Sequence, residues 1–348
     1  LHLLSRRQRQ MCIRDSHSSD SFAAVTGVSI TSLFENNKSA DTINVWLIEH
    51  DITQENKDNL VKIANKYERK IYFIPMPDIN SKWNLNLKMI KDEWLFDSYV
   101  RLFLDDILPV SVERVLYLDG DVLITDSLQE LWNIDLQGKC AAAVTDSIGE
   151  SYYEMFRLSK NARYCNSGVI LMDLIRWRKQ KIGDKVAEYV REHNGYVFFM
   201  EQTVFNAVLD SQIYILHPRY NVFSLMQCMS YDEHMYLRRP ERFYAKKFIR
   251  EAVEKPCLVH LTTCFFVINR AWIKNNNHPF KEIYLKYKEM TPWEKEPLSS
   301  DKRKSKKKIV DFFVLYLPRS FVIFVASFLY RYLRVWKIGS AMKKFQVY

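Results

Sequence analysis

Two carboxylates one residue apart, Asp119-Gly120-Asp121, follow the unbroken apolar run Val115-Leu116-Tyr117-Leu118. Acids spaced in this way, with a small residue between them at a strand terminus, can both approach one divalent cation. Hard oxygen donors suit Mg²⁺ or Mn²⁺, ions that usually also hold substrate phosphates. Taken alone, the triplet also describes a turn with two solvated acids. Its position argues for the cation: uncompensated charge at the end of a strand buried on both faces is costly.

These acids need a scaffold, and the flanking chain supplies an alternation of strands and helices. An amphipathic helix begins after Asp20 and ends near Asn36-Asn37, with Val25, Val28, Ile30 and Leu33 as its apolar stripe. A buried strand (42–51), a polar helix (Gln54 to Tyr67) and a second strand (70–76) follow. A helix is expected around Trp94–Leu108, then strand–turn–strand over 112–128, strands at 140–146 and Cys165–Asp173, and a helix from Ile182 to His193. This order predicts an α/β fold with a mostly parallel sheet, whose ligands sit at the carboxyl ends of the strands.

Four ordered blocks, 115–136 (VLYLDGDVLITDSLQELWNIDL), 164–182, 199–209 (FMEQTVFNAVL) and 259–266 (VHLTTCFF), resemble the retaining glycosyltransferases of family 8. The likeness runs from about Asp20 to Trp293. It implies a GT-A type nucleotide-diphospho-sugar transferase fold, a mixed, mostly parallel sheet flanked by helices. It also implies a UDP-sugar donor, UDP-glucose or UDP-galactose, with Mn²⁺ as cofactor and Mg²⁺ as the alternative.

By the resemblance, Asp119, Asp121 and His260 are the metal ligands, and Gly120 lies with them in the donor site. Without it, His260 reads as a satisfied core residue. Asp20 matches the acid that binds uracil or ribose, and Phe22 stands where the family stacks a Tyr on uracil. Arg101, Asp146 and Asn166 match donor-site residues. Their plainer readings are a solvated helix charge for Arg101 and a turn former for Asn166. Glu201 and Gln202 match the catalytic acid–amide pair, with Gln202 near the anomeric carbon. Two departures stand out: the usual Asp-Gln-Asp is Glu201-Gln202-Thr203, and Arg270 replaces a phosphate-binding Lys in a segment lacking the family's glycine. Arg can hold a diphosphate bidentately.

The chain has 348 residues, 48% of them apolar and 26% charged, too apolar for a disordered chain and rich enough for a sizeable core. Its formal charge of +10 is uneven. Lys302–Tyr348 carries 12 of the 51 basic residues and one of the 41 acids, a net +11, which leaves the remainder at −1. That argues against a nucleic-acid binder, the reading a basic chain first invites. Six scattered cysteines without a CxxC pair exclude a zinc ribbon and read as reduced thiols in a cytosolic protein.

Residues 1–16 (LHLLSRRQRQMCIRDS) have no period and read as a non-native leader. Residues 17–297 then form the GT-A domain, with its first strand apparently missing. A basic linker spans 298–308, and 309–348 is a helical tail. The longest uncharged run of that tail, Ser320–Tyr330, has eleven residues, against about 20 for a bilayer span. The expectation is an aromatic-rich amphipathic helix at an anionic membrane surface; packing on the catalytic body is the alternative.

Together these features predict a retaining hexosyltransferase acting on a saccharide or lipid-linked saccharide of a surface glycan, such as a lipopolysaccharide core. It would work in the cytoplasm at the inner face of the plasma membrane. A nucleotidyltransferase, an inactive nucleotide-binding homologue and a tail-driven nucleic-acid binder are the rival readings.

Overall fold

A computed structural model of the chain describes residues 9–14, 20–87, 93–303 and 305–344. Among the described residues, ten strands form two sheets: β1 Arg9–Arg14, β2 Ile43–Glu49, β3 Lys70–Pro75, β4 Arg114–Asp119, β5 Val122–Ile124, β6 Ala141–Thr145, β7 Cys165–Asp173, β8 Ile213–Ile215, β9 Val222–Phe223 and β10 Leu258–His260. The large sheet has the order β3-β2-β1-β4-β7-β6-β8 and the small one β5-β10-β9. In the large sheet β7 runs antiparallel to β4 and β6, and every other pairing is parallel. The fold is therefore α/β with a mixed, mostly parallel sheet.

The expectation of a missing first strand is corrected. Arg9–Arg14 lies in the middle of the large sheet, parallel to β2 on one side and to β4 on the other, with Arg14 opposite Asp119. The physical reason is that ladder bonds are made by the main chain. A short segment with little hydrophobic pattern still satisfies two rows of backbone donors and acceptors that would otherwise be unpaired inside the sheet. The rest of the supposed leader, residues 1–8, 15 and 16, lies outside the described residues.

Val115, Leu116, Tyr117 and Leu118 of β4 are fully buried, as their unbroken apolar run predicts. The helix Ala23–Asn36 is buried on nearly all sides because small residues let it approach its neighbours closely. Ser29 Oγ donates to the Val122 carbonyl (2.6 Å) and Ser32 Oγ accepts from the Ile124 amide (2.9 Å), which ties this helix to β5. A methyl group at Gly27 would run into the Trp293 ring.

Around Trp94–Leu108 the chain is not one α-helix. It forms a 3₁₀ run, Glu93–Phe103, continued by a short α-turn, Leu104–Ile107. Three residues per turn place Ser98 and Arg101 on the same side, and both meet Glu201.

Pro318 divides the tail into the helices Ser305–Tyr316 and Arg319–Phe328. A π-helical turn, Leu329–Arg334, and the helix Val335–Lys344 follow. One side packs on the body: Val322, Ile323, Ser327 and Ile338 are buried. Arg319 pairs with Glu233 (2.6 Å) and lies over the Phe266 ring. The other side leaves Phe312, Phe321, Phe324, Phe328, Tyr332 and Trp336 exposed. In the basic linker, Arg303 is held by Asp301 and Asp311. Among the described residues no helix is long and apolar enough to cross a membrane.

Candidate active site

The two sheets meet at Asp119-Gly120-Asp121. β4 delivers Asp119 at its carboxyl end, the turn carries the buried Gly120 and Asp121, and β5 leaves for the small sheet. There β10 pairs antiparallel with β5, with His260 opposite Val122, and the Leu261 amide donates to the Asp121 carbonyl at 3.0 Å. This pairing brings together three side chains that are distant in sequence. Donor atoms of Asp119, Asp121 and His260 lie within 4.8 Å of one another. His260 Nε2 is 3.2 Å from Asp121 Oδ1 and 3.7 Å from Asp119 Oδ2. Two carboxylates and one imidazole form a donor set suited to a first-row divalent ion.

Two arginines balance this charge. Arg270 Nη1 is 2.7 Å from Asp121 Oδ2 and donates to the Leu261 carbonyl. Burial would push the Asp121 carboxyl up, but His260 and Arg270 outweigh it and hold the group well below the usual carboxylate range. Arg101 is 3% exposed, so its charge must be matched locally. Its Nη2 lies 2.9 Å from Asp119, Nη1 lies 3.5 Å from Glu201, and the guanidinium sits over the Tyr117 ring. Burial disfavours its charged form, and Asp119, Tyr117 and Glu201 overcome that penalty.

A chain of amides links this centre to Gln202. His260 Nδ1 meets Asn221 Oδ1 (3.2 Å), Asn221 Nδ2 donates to Asn166 Oδ1 (2.8 Å), and Asn166 Nδ2 donates to Gln202 Oε1 (3.2 Å). Gln202 Nε2 then donates to Asp146 Oδ2 at 3.2 Å. Beneath it Glu201 accepts from Ser98 (2.7 Å) and Ser167 (3.3 Å), so its longer carboxylate is fully engaged. The residues expected at the site thus form one connected network: Asp119, Asp121, His260, Arg270, Arg101, Glu201, Gln202, Asn166 and Asp146.

Asp20 and Phe22 are placed differently. The Asp20 carboxylate accepts from the Thr53 amide (2.9 Å), the Thr53 hydroxyl (2.6 Å) and Asn56 (2.7 Å), at the start of the Gln54–Lys66 helix. Those bonds hold it below its ordinary range. Phe22 is buried, its ring edge-on to Trp272 at 5.4 Å.

Sequence reasoning missed Asn221, Ser98 and the reason for Gly168. A methyl group at Gly168 would collide with the His260 ring and come within 2.9 Å of Asp119 Oδ2. The Asn166-Ser167-Gly168 triplet carried that signal. Asn221, which precedes a two-residue strand, carried none.

Residues 16–264 match the family model for glycosyl transferase family 8. General stress protein A of Bacillus subtilis is 26% identical over 282 residues, 80% of this chain and 93% of that protein. The lipopolysaccharide 1,2-glucosyltransferase of Escherichia coli K12 is 27% identical over 289 residues, 82% of this chain and 78% of that protein. Among solved structures, the galactosyltransferase LgtC in complex with donor and acceptor sugar analogs superposes with a TM-score of 0.65. That match is 19% identical and covers 86% of this chain and 99% of LgtC. Its fold is the GT-A fold described above. With the family model spanning most of the chain, the protein belongs to glycosyltransferase family 8 and is a glycosyltransferase.

Proposed function

We propose that the protein moves glucose or galactose from a UDP-sugar to a saccharide acceptor of a surface glycan, with retention and with Mn²⁺ as its metal. The observation that carries this reading is the continuous network from the Asp119/Asp121/His260 centre through Asn221 and Asn166 to Gln202. Asp119, Asp121 and His260 would hold the ion, which when bound supplies positive charge to the donor diphosphate. Arg270, partly exposed beside Asp121, is the residue to receive a phosphate oxygen.

Gln202 would face the anomeric carbon with its amide oxygen. A neutral amide is a poor nucleophile, so the physically easier course is a short-lived oxocarbenium ion rather than a covalent intermediate. As the bond to the diphosphate breaks, the Gln202 oxygen dipole stabilises the positive carbon from the opposite face. The acceptor hydroxyl attacks on the face the phosphate is leaving and gives its proton to that phosphate, and retention follows. Asp146, fixed to Gln202 Nε2, is positioned to read a sugar hydroxyl.

The acceptor is a lipopolysaccharide core or a lipid-linked saccharide at the inner face of the plasma membrane. The exposed aromatic side of the basic tail supports this location.

Calorimetric titration of UDP with and without Mn²⁺, on the whole chain and on Asp121→Asn, tests the reading. The expected result is binding that needs the metal and is lost in the variant. Metal-independent binding of equal strength, or no binding in either case, overturns it.

A further inference from the structure

The tail does more than cover the body. Ile338, with Tyr330, Val335 and Met342, closes an aromatic cluster of Ile148, Tyr152, Tyr153, Phe156 and Tyr164, against which Phe198 and Phe199 pack. Several of its body residues lie close in sequence to the amide network. Ile148 is near Asp146, and Tyr164 precedes Asn166 and bonds the Thr203 hydroxyl at 2.9 Å. Phe199 and Met200 directly precede Glu201 and Gln202.

Phe199 and Met200 are strained. Their φ angles are +59° and +53°, two successive left-handed residues without glycine, at the point where the Met200–Leu209 helix begins. Such a turn persists only when its surroundings over-determine it. The tail provides much of that surrounding. The Arg334 guanidinium sits 4.6 Å from the centre of the Phe199 ring; the Tyr152 ring, which also touches Phe199, lies 5.2 Å from the Tyr330 ring, and the Tyr152 hydroxyl donates to the Tyr330 carbonyl. A second contact reaches the same place from another side: Tyr330 lies under the guanidinium of Arg238 (4.7 Å), whose Nη1 donates to the Ser147 carbonyl and is 4.0 Å from Asp146. Both contacts come from the π-helical turn Leu329–Arg334, a geometry that is often found at functional sites.

We propose that Tyr330 and Arg334 of the tail are positioning residues of the transfer site, holding the Phe199–Met200 turn and Arg238 so that Gln202 and Asp146 keep their alignment. This rests on the reading of Gln202 given above. The outward aromatic side of the same tail is separate from this inward contact. One element therefore has two roles on opposite faces.

The test uses the full chain, with release of UDP from UDP-glucose or UDP-galactose in the presence of Mn²⁺ as readout. Arg334→Ala and Tyr330→Ala should each lower kcat about 10- to 100-fold, the scale of a small misplacement at a reacting centre, with UDP affinity and donor KM changed no more than about 2-fold. Arg334→Lys should recover most of the turnover, because a cation over the Phe199 ring is retained. In a Phe199→Leu background, Arg334→Ala should cause no further loss. Gln202→Ala is measured alongside. Full turnover in Gln202→Ala would refute the reading of Gln202 itself. An inactive Gln202→Ala beside normal Arg334→Ala and Tyr330→Ala would refute the tail's role alone. Parallel losses of UDP binding, melting temperature and activity that Lys does not rescue would reduce the contact to ordinary packing and also overturn the proposal.

Discussion

The His260 imidazole donates from Nδ1 to the Asn221 amide oxygen at 3.2 Å, and this bond decides which ring nitrogen faces the carboxylates. The Asn221 amide is oriented in turn by its donation to Asn166 at 2.8 Å. With Nδ1 committed to Asn221, Nε2 is the ring nitrogen turned toward Asp121, the atom that would offer its lone pair to a bound ion. The side chain behind the imidazole therefore has a chemical role of its own.

Asn221→Ala removes that acceptor and frees the ring to adopt either tautomer. Mn²⁺ affinity, followed by the loss of the free-ion electron paramagnetic resonance signal on titration, should fall about 10- to 100-fold. An unchanged affinity would show that the backbone alone orients His260.

Gly168→Ala places a methyl group against His260 and Asp119, neither of which can move without disturbing the other. The variant should lose about 1–3 kcal/mol of stability. It should also lose metal-dependent UDP binding by more than its stability loss explains. Urea unfolding and calorimetry separate the two effects.

Arg101→Ala leaves Asp119 and Glu201 facing each other across a buried site without their shared counter-charge. A loss of about 3–5 kcal/mol is expected, measurable by urea unfolding. Arg101→Lys should recover only part of it, because an ammonium cannot also reproduce the guanidinium's bond to the Ser167 carbonyl (2.8 Å).

His234 supplies a pH dependence. It is buried, bonded to Ser147 Oγ at 2.5 Å, packed edge-on against Phe243 and close to Arg238; burial, then Arg238, pushes its pKa down from 6.5 to about 3. Between these values the unfolded chain binds more protons than the folded one. Stability is therefore lost as pH falls below about 6.5, by roughly 1 kcal/mol per pH unit from this group. His234→Gln should flatten the slope of unfolding free energy between pH 6.5 and 4.5; an equal slope would place the acid sensitivity elsewhere.

Phe324, Phe328 and Trp336 are on the outward side of the tail. Replacing all three with serine spares Tyr330 and Arg334. It should lower co-sedimentation with anionic vesicles at least about tenfold, since each aromatic lost removes more than 1 kcal/mol of burial. Undiminished sedimentation would mean that the basic residues alone, or another surface, make the contact.

Much of this site was legible because it depends on local patterns. The unbroken apolar run of β4 ends in its acids, and the ordered blocks around Asn166, Gln202 and His260 carry their neighbours with them. What was not legible depends on long-range geometry. β1 has too little pattern to declare itself, and two paired neighbours define it. Ser98 and Arg101 share one side of a 3₁₀ run where both meet Glu201, which no local propensity reveals. The tail's hydrophobic period showed an amphipathic helix, but could not say that its inner stripe ends on Phe199 and Arg238.

The small sheet adds a kinetic consequence. β5, β9 and β10 come from distant parts of the chain, so His260 reaches Asp119 and Asp121 only after long loops have closed. Closures of that kind come late and slowly. The donor set therefore depends on pairings of long sequence separation. An ion that binds only the completed set acts as a clasp on the folded state, adding stability in proportion to the logarithm of its concentration above its dissociation constant. An ion held there would then favour the folded chain by mass action as well as complete the site.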